Sequence, residues 1–133
     1  MATTFDSKFV MIHWDAANEA VTMQWKRPAQ YQDFREGLSA ALKQVTETKA
    51  DRVVADHSIL NLQDEDEAFF LKQWIPKSAQ NGVKRLAVVV QRRAYVQIPK
   101  TRIMQKLKSG GLVLQYFHDM DEARVWIREA RAA

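Results

Sequence analysis

The chain contains no cysteine and few of the residues that break secondary structure. Because its 133 residues include no cysteine, disulfide bonds, cysteine-ligated zinc and a thiol nucleophile are excluded. Its four glycines do not form the loops that cradle nucleotide phosphates, so no cofactor is expected. No apolar run reaches the roughly 20 residues of a membrane span, and the first residues lack the basic and apolar regions of a secretory signal. These absences predict a cytoplasmic protein. The length of 133 residues predicts a single domain over residues 1–133, with a core over about 8–130.

Negative charge is missing from one long segment. Residues 68–118 contain 10 Lys or Arg and no Asp or Glu, whereas residues 1–67 contain 12 acidic and 7 basic residues. The net charge of the chain is +4. This asymmetry indicates either an anion-binding surface or cations spread over solvated faces. Among the cations from Arg92 to Lys108, only Tyr95 adds an aromatic ring, which argues against nucleic acid as the partner.

The spacing of apolar residues predicts alternating strands and helices. The predicted strands are Phe9 to Trp14, Val21 to Trp25, and residues 52–58, 86–90 and 112–117; the predicted helices are about residues 30–48, 64–82, 99–109 and 119–130. The last helix has a buried stripe that ends at Ala130. The fold class is therefore α/β, in the order β-β-α-β-α-β-α-β-α. Its mostly parallel five-stranded sheet starts with a hairpin.

Polar residues follow the third predicted strand. Asp56, His57 and Ser58 lie at its carboxyl end, the edge at which open α/β sheets hold their ligands. Arg92 and Arg93 follow the next strand and fall at the same edge, so an anionic small molecule is one expected ligand. The alternative is that Asp56 or Ser58 bonds to the next loop while its neighbours fill space.

The second predicted helix adds two apolar candidates for a partner contact. Phe69 lies off the apolar stripe of this helix. Trp74 precedes Pro76, which should loosen the helix because proline cannot donate to the Lys72 carbonyl. Trp74 is therefore either a core residue or a partly exposed anchor.

The histidines do not form a catalytic or metal-binding pattern. Asp56, His57 and Ser58 are adjacent in a strand, so their side chains alternate between faces and cannot act as a hydrolytic triad. His57 and His118 are expected at the ends of strands that have another strand between them, about 10 Å apart. We therefore expect neither a catalytic nor a metal site.

Three short groups of residues carry a resemblance to a known family. They are Trp14-Asp15, Trp74-Ile75-Pro76 with Gly82, and Tyr116-Phe117 followed by Glu122-Ala123 and Trp126-Ile127. With the order of elements over about residues 8–130, they make the chain similar to the STAS superfamily, in particular its SpoIIAA-like branch of small stand-alone proteins. The resemblance implies a regulatory or protein-interaction module.

The resemblance also implies a switch that this sequence lacks. Anti-sigma-factor antagonists of the superfamily are phosphorylated on a Ser or Thr between the third strand and the second helix. Residues 59–77 contain neither Ser nor Thr, so this phosphoserine switch is expected to be absent.

The sequence leaves two other functions open and indicates that the chain associates with itself. One alternative is a small-ligand or lipid carrier, because STAS folds resemble the CRAL-TRIO fold, and another is an enzyme that acts on an anionic substrate. We also expect a homodimer, formed through the edge strand of the hairpin around Met11 or through the second helix around Phe69.

Overall fold

A computed structural model describes residues 3–108 and 110–129. Its strands are β1 (Thr3–Asp6), β2 (Val10–Asp15), β3 (Ala20–Trp25), β4 (Arg52–Asp56), β5 (Arg85–Val89), β6 (Met104–Lys106) and β7 (Val113–Phe117). Its helices are α1 (Tyr31–Thr48), α2 (Asp64–Phe69), a π-helical segment (Phe70–Trp74), α3 (Ile75–Gln80), α4 (Arg92–Tyr95), α5 (Lys100–Ile103) and α6 (Met120–Glu129). Ala130, predicted to complete the stripe of the last helix, lies outside the described residues.

The strands form one mostly parallel sheet in the order β1-β2-β3-β4-β5-β7-β6. Strands β3, β4, β5 and β7 are parallel neighbours, while β1, β2 and β6 run antiparallel to the strand beside them. Short crossovers favour such sequential neighbours. The observed pairing confirms the predicted α/β class and the parallel order of β4, β5 and β7.

The sheet has seven strands in the described residues, so the predicted count of five was wrong. Strand β1 pairs with β2, with Phe5 opposite Ile12. The hairpin strand around Met11 is consequently not an edge strand, and the dimer contact expected there was wrong. Strand β1 was not predicted because the sequence before Phe9 shows no regular apolar pattern. Its pairing with β2 is short and contains an irregularity.

The third predicted helix was also wrong in its second half. Only residues 100–103 are helical, and the chain then becomes strand β6, in which Met104 is 58% exposed rather than on an inner face. A hairpin connects β6 to β7: the N–H of Leu107 donates to the carbonyl of Leu112 at 2.8 Å. Gly110 and Gly111 make this turn at φ +77° and +70°, values that glycine adopts without strain.

Two layers of helices cover the sheet. Helix α1 and the α2–α3 segment pack on one face, against apolar residues such as Met23, Ala55 and Val88. Helix α6 packs on the other face, where Ile127 meets Val54 and other residues of β4, β5 and β7. Apolar residues on both faces of β4 and β5 explain the continuous hydrophobic runs of these strands.

The predicted loosening of the second helix takes the form of a π turn. Pro76 has no N–H to donate to the Lys72 carbonyl, and its ring would collide with that carbonyl in a regular α-helix. The N–H of Ile75 instead donates to the carbonyl of Phe70, five residues earlier. This wider turn places Phe70 and Trp74 in the core.

Candidate functional site

The polar residues after β4 stabilise their own turn. The Oδ1 atom of Asp56 accepts a hydrogen bond from the N–H of Ser58 at 3.0 Å. The N–H of Leu60 donates to the carbonyl of His57 at 3.0 Å, and the N–H of His57 donates to the carbonyl of Val89 at 2.8 Å. The carboxylate of Asp56 thus has the structural role that the sequence left open.

His57 lies inside the core rather than in a cleft. Its ring is 4.8 Å from that of Phe70 and 6.1 Å from that of Phe34, measured between centroids. Burial lowers the pKa of His57 to about 3, and its Nε2 atom has no hydrogen-bond partner among the described residues. The imidazole is therefore neutral near pH 7 and not placed to exchange protons with a bound substrate.

The aromatic packing around His57 extends in both directions. The ring of Trp25 lies 5.4 Å from that of Phe34, and the ring of Trp74 lies 5.5 Å from that of Phe70. Trp74 is only 2% exposed, and its Nε1 atom donates to the carbonyl of Leu38 at 2.7 Å. The core alternative for Trp74 is confirmed, and the exposed-anchor alternative was wrong.

A buried carboxylate connects α2 to the start of α1. Asp66 is fully buried, and its Oδ2 atom accepts a hydrogen bond from the N–H of Tyr31 at 2.8 Å. The guanidinium Nε of Arg35 lies 3.8 Å from its Oδ1 atom. The same guanidinium lies 4.5 Å from the centroid of the Phe69 ring. Phe69 is therefore partly covered by Arg35, and it is less available for a partner than its sequence position suggested.

Exposed side chains lie on α2, at the start of α1 and in the loop before α2. Helix α2 leaves Asp64, Glu65 and Glu67 exposed, while Tyr31 and Ile59 are 54% and 38% exposed. These five residues are termed the acidic surface. In the sequence, Asp66 does not differ from the acids on either side of it. Tyr31 was not among the predicted site residues, since its exposure depends on how α1 begins.

The negative charge of Glu67 also affects the pKa of a tyrosine on β7. Tyr116 is half-buried on β7, and its pKa is raised above the usual value by burial and, secondarily, by the negative charge of Glu67. The phenol therefore stays protonated near neutral pH and remains a hydrogen-bond donor.

Arg92 and Arg93 lie in the short helix α4, which follows β5. Both arginines are exposed, and neither makes an ion pair among the described residues. Asp56 lies in register with Val89, on the sheet face that α6 covers, and uses its carboxylate within its own turn. An anionic ligand at this end of the sheet stays a prediction.

The histidines are separated as the strand order requires. His57 is buried after β4, whereas His118 is exposed after β7, with β5 between them. The ring of His118 contacts that of Tyr95 at a centroid distance of 4.8 Å. Over residues 3–108 and 110–129, no three His, Asp or Glu side chains form a group that could hold a metal ion.

An open groove runs along the outer side of α6. It has a volume of about 380 Å³ and is lined by Asp121, Glu122, Val125, Trp126 and Glu129. These residues are termed the α6 groove. None of these residues was among the predicted site residues, because their exposure depends on how α6 packs on the sheet.

Comparisons with known proteins agree with this architecture. No model of a known protein family matches the sequence, and neither does any curated protein. A solved structure that resembles the chain is described as an uncharacterised protein from the DUF3478 family with a SpoIIAA-like fold, from Shewanella loihica PV-4. The two share 15% sequence identity over 92% of this chain and 98% of that chain, with a TM-score of 0.51. In the part of the chain that the structure describes, no helix has the length and apolar character to cross a membrane. By its similarity to that solved structure, the chain has a SpoIIAA-like α/β fold.

Proposed function

We propose that this chain is a non-enzymatic, cytoplasmic protein-interaction module whose recognition surface is the acidic surface. The observation that best supports the proposal is the contrast between Asp66 and its neighbours. Asp66 is buried and holds α1 against α2, whereas Asp64, Glu65 and Glu67 remain exposed. A surface whose two helices are joined beneath it loses little conformational entropy on binding.

Two hydrogen bonds hold the loop before α2. Ser58 and Leu60 each donate a backbone hydrogen bond to the residues at the end of β4. Leu60 is buried, so Ile59 projects outward between two anchored residues. A preorganised apolar side chain of this kind is typical of protein-binding surfaces.

The chemistry of the surface indicates the class of partner. Three exposed carboxylates lie on α2, which follows the loop that carries Ile59 and is joined through Asp66 to the helix start that carries Tyr31. Electrostatic complementarity favours a protein that presents Lys or Arg around an apolar contact. Regulation by phosphorylation within residues 59–77 is not part of the proposal, because that segment has no Ser or Thr.

The interior supports binding at a surface over binding in a cleft. At the sheet edge where a small ligand is expected, His57 fills the space between Phe34 and Phe70. The α6 groove is an open trough and not an enclosed chamber of the kind that a lipid carrier needs.

The proposal is tested by capturing partners from the native cell on immobilised protein. A protein captured by the wild type should be lost from the double variant Ile59→Asp with Glu65→Lys. It should be retained by Glu47→Lys, which makes the same Glu-to-Lys replacement at an exposed site near the far end of α1. Mass spectrometry identifies the captured species.

Three results would contradict the proposal. Equal capture by the double variant would show that the acidic surface is not the recognition surface. A lipid or small molecule that copurifies with the wild type and is found by native mass spectrometry would favour the carrier alternative. Turnover of an anionic ester by purified protein, lost with His57→Ala, would favour an enzyme.

A further inference from the structure

The crossover between β5 and β7 lies entirely at the surface. Residues 91–106, termed the basic crossover, form α4, α5 and β6, and none of them is buried. Val96 and Met104, 68% and 58% exposed, are the two most exposed large apolar residues in the described part of the chain. The segment has no acidic residue and five cations: Arg92, Arg93, Lys100, Arg102 and Lys106. Exposed apolar side chains among uncompensated cations are typical of a surface that a partner covers.

The α6 groove has the opposite charge. Its lining contains the carboxylates of Asp121, Glu122 and Glu129 and no cation. Asp121 makes an ion pair with Arg124 at 3.4 Å, so Glu122 and Glu129 carry the free charge. Val125 is 45% exposed within the groove, which gives it an apolar centre between acids.

Both surfaces lie on the same face of the sheet. On one flank of α6, Arg128 donates to Oδ1 of Asn18 in the turn between β2 and β3. On the opposite flank, the ring of Trp126 lies 5.7 Å from that of Phe117 on β7. Strand β6 is the next strand beyond β7, and register places Met104 on the sheet face that α6 covers. The Trp126 flank of the groove is therefore the side of α6 nearer to β7 and to the basic crossover.

We propose that the chain forms a two-fold symmetric homodimer in which the basic crossover of each copy docks on the α6 groove of the other. The two surfaces are neighbours on one chain and leave each other uncovered. A two-fold axis between them brings each against its complement on a second copy. Cations then face carboxylates, and Val96 and Met104 meet Val125 and Trp126.

A second copy fits these observations better than a membrane or a nucleic acid. Either polyanion would attract the basic crossover, but it would also approach the carboxylates of Glu122 and Glu129 on the same face of the sheet. Like charges at an interface are destabilising. A partner that complements both surfaces must place negative charge against the basic crossover and positive charge against the α6 groove. The acidic surface on α2 lies on the other helical layer, so the dimer leaves it free.

Charge reversal tests the proposal through the mass in solution. Wild-type protein at about 50 µM, a concentration that detects micromolar affinity, should have twice the 15.4 kDa mass of the chain. Arg102→Glu with Lys106→Glu should give a monomer, and so should Glu122→Lys with Glu129→Lys. Lys72→Glu with Lys77→Glu is the matched control: it removes the same charge from exposed positions on the α2–α3 segment, and it should stay dimeric.

Mixing the two monomeric variants decides the outcome. In a mixed dimer, both contacts again join opposite charges, so the doubled mass should return. A single chain that carries all four substitutions should also dimerise. Restored association requires folded partners and excludes unfolding as the cause of the loss. A monomeric wild type, a dimer that survives either reversal, or variants that stay monomeric when mixed would each overturn the proposal.

Discussion

The carboxylate of Asp66 on α2 caps the start of α1 by accepting a hydrogen bond from the N–H of Tyr31 at 2.8 Å. Gln30, the N-cap residue of α1, provides no side-chain hydrogen bond of its own. A helix start usually takes its cap from a neighbouring Ser, Thr, Asp or Asn. Here the cap comes from a residue 35 positions later, so the two helices are stabilised together.

Removing this cap should destabilise the protein strongly. We expect Asp66→Ala to lower the free energy of unfolding by about 2 kcal/mol, because it removes the cap and leaves the N–H of Tyr31 without its acceptor. Asp66→Asn, which keeps an acceptor oxygen, should cost less. Asp64→Ala, at an exposed position in the same turn, should stay within about 0.5 kcal/mol of wild type. Urea unfolding measures all three, and equal effects of the two alanine variants would contradict the cap.

Gly37 should tolerate no larger side chain, although it lies inside a helix. A Cβ atom at this position would overlap the ring of Trp25 at Cη2. Overpacking of a core costs about 1–3 kcal/mol, which exceeds the roughly 1 kcal/mol that alanine gains over glycine in a helix. Gly37→Ala should therefore lower the thermal midpoint. Ser39→Ala, an exposed control in the same helix, should leave it equal or slightly higher, and a stabilised Gly37→Ala would refute the close packing.

His57 should make the fold less stable in mild acid. Burial lowers its pKa from the ordinary histidine value of 6.5 to about 3 in the folded protein, so between these values the unfolded chain binds a proton that the folded chain excludes. Stability from this residue is complete above pH 6.5 and decreases as the pH falls toward 3.

The contribution is measured by comparing wild type with His57→Leu. Between pH 7 and pH 5, the wild type should lose about 2 kcal/mol more of its free energy of unfolding than the variant. The difference between the two proteins removes the effect of other titrating groups. Parallel pH profiles would show that the imidazole is open to solvent or paired in the folded state.

Lys49 ends α1 in the left-handed region, at φ 57° and ψ 33°. This conformation is strained for a residue with a Cβ atom and unstrained for glycine. We expect Lys49→Gly to raise the free energy of unfolding by about 0.5–1 kcal/mol. Lys43→Gly, in the exposed interior of the same helix, should lower it by about 1 kcal/mol. A loss of stability in both variants would argue against the left-handed end.

The buried elements were predictable from local pattern. Helix α1 was predicted over about residues 30–48 and is found over Tyr31–Thr48, because its apolar residues recur at helical spacing. Strands β4 and β5 were predicted from apolar runs that only a covered parallel sheet can bury. The resemblance to SpoIIAA-like proteins rested on packing residues, and for that reason it identified the fold and not a function.

The exposed elements were not predictable in this way. Strand β6 consists of three exposed residues, so no apolar alternation marks it, and it exists because β7 offers an edge to pair with. Strand β1 likewise depends on its pairing with β2. Both strands change which edges of the sheet are open, and with them the surfaces at which a second copy can bind.

The sequence by itself determined that Asp56 and His57 end a strand and point to opposite faces, because side chains alternate along a strand. Only the tertiary structure decided that the imidazole enters the core, since both α1 and the α2–α3 segment pack on the face to which it points. Likewise, Asp64 to Glu67 are equivalent acids in the sequence. Packing against α1 buries Asp66 alone, because that position of the turn faces the N–H of Tyr31, and the remaining three carboxylates stay exposed.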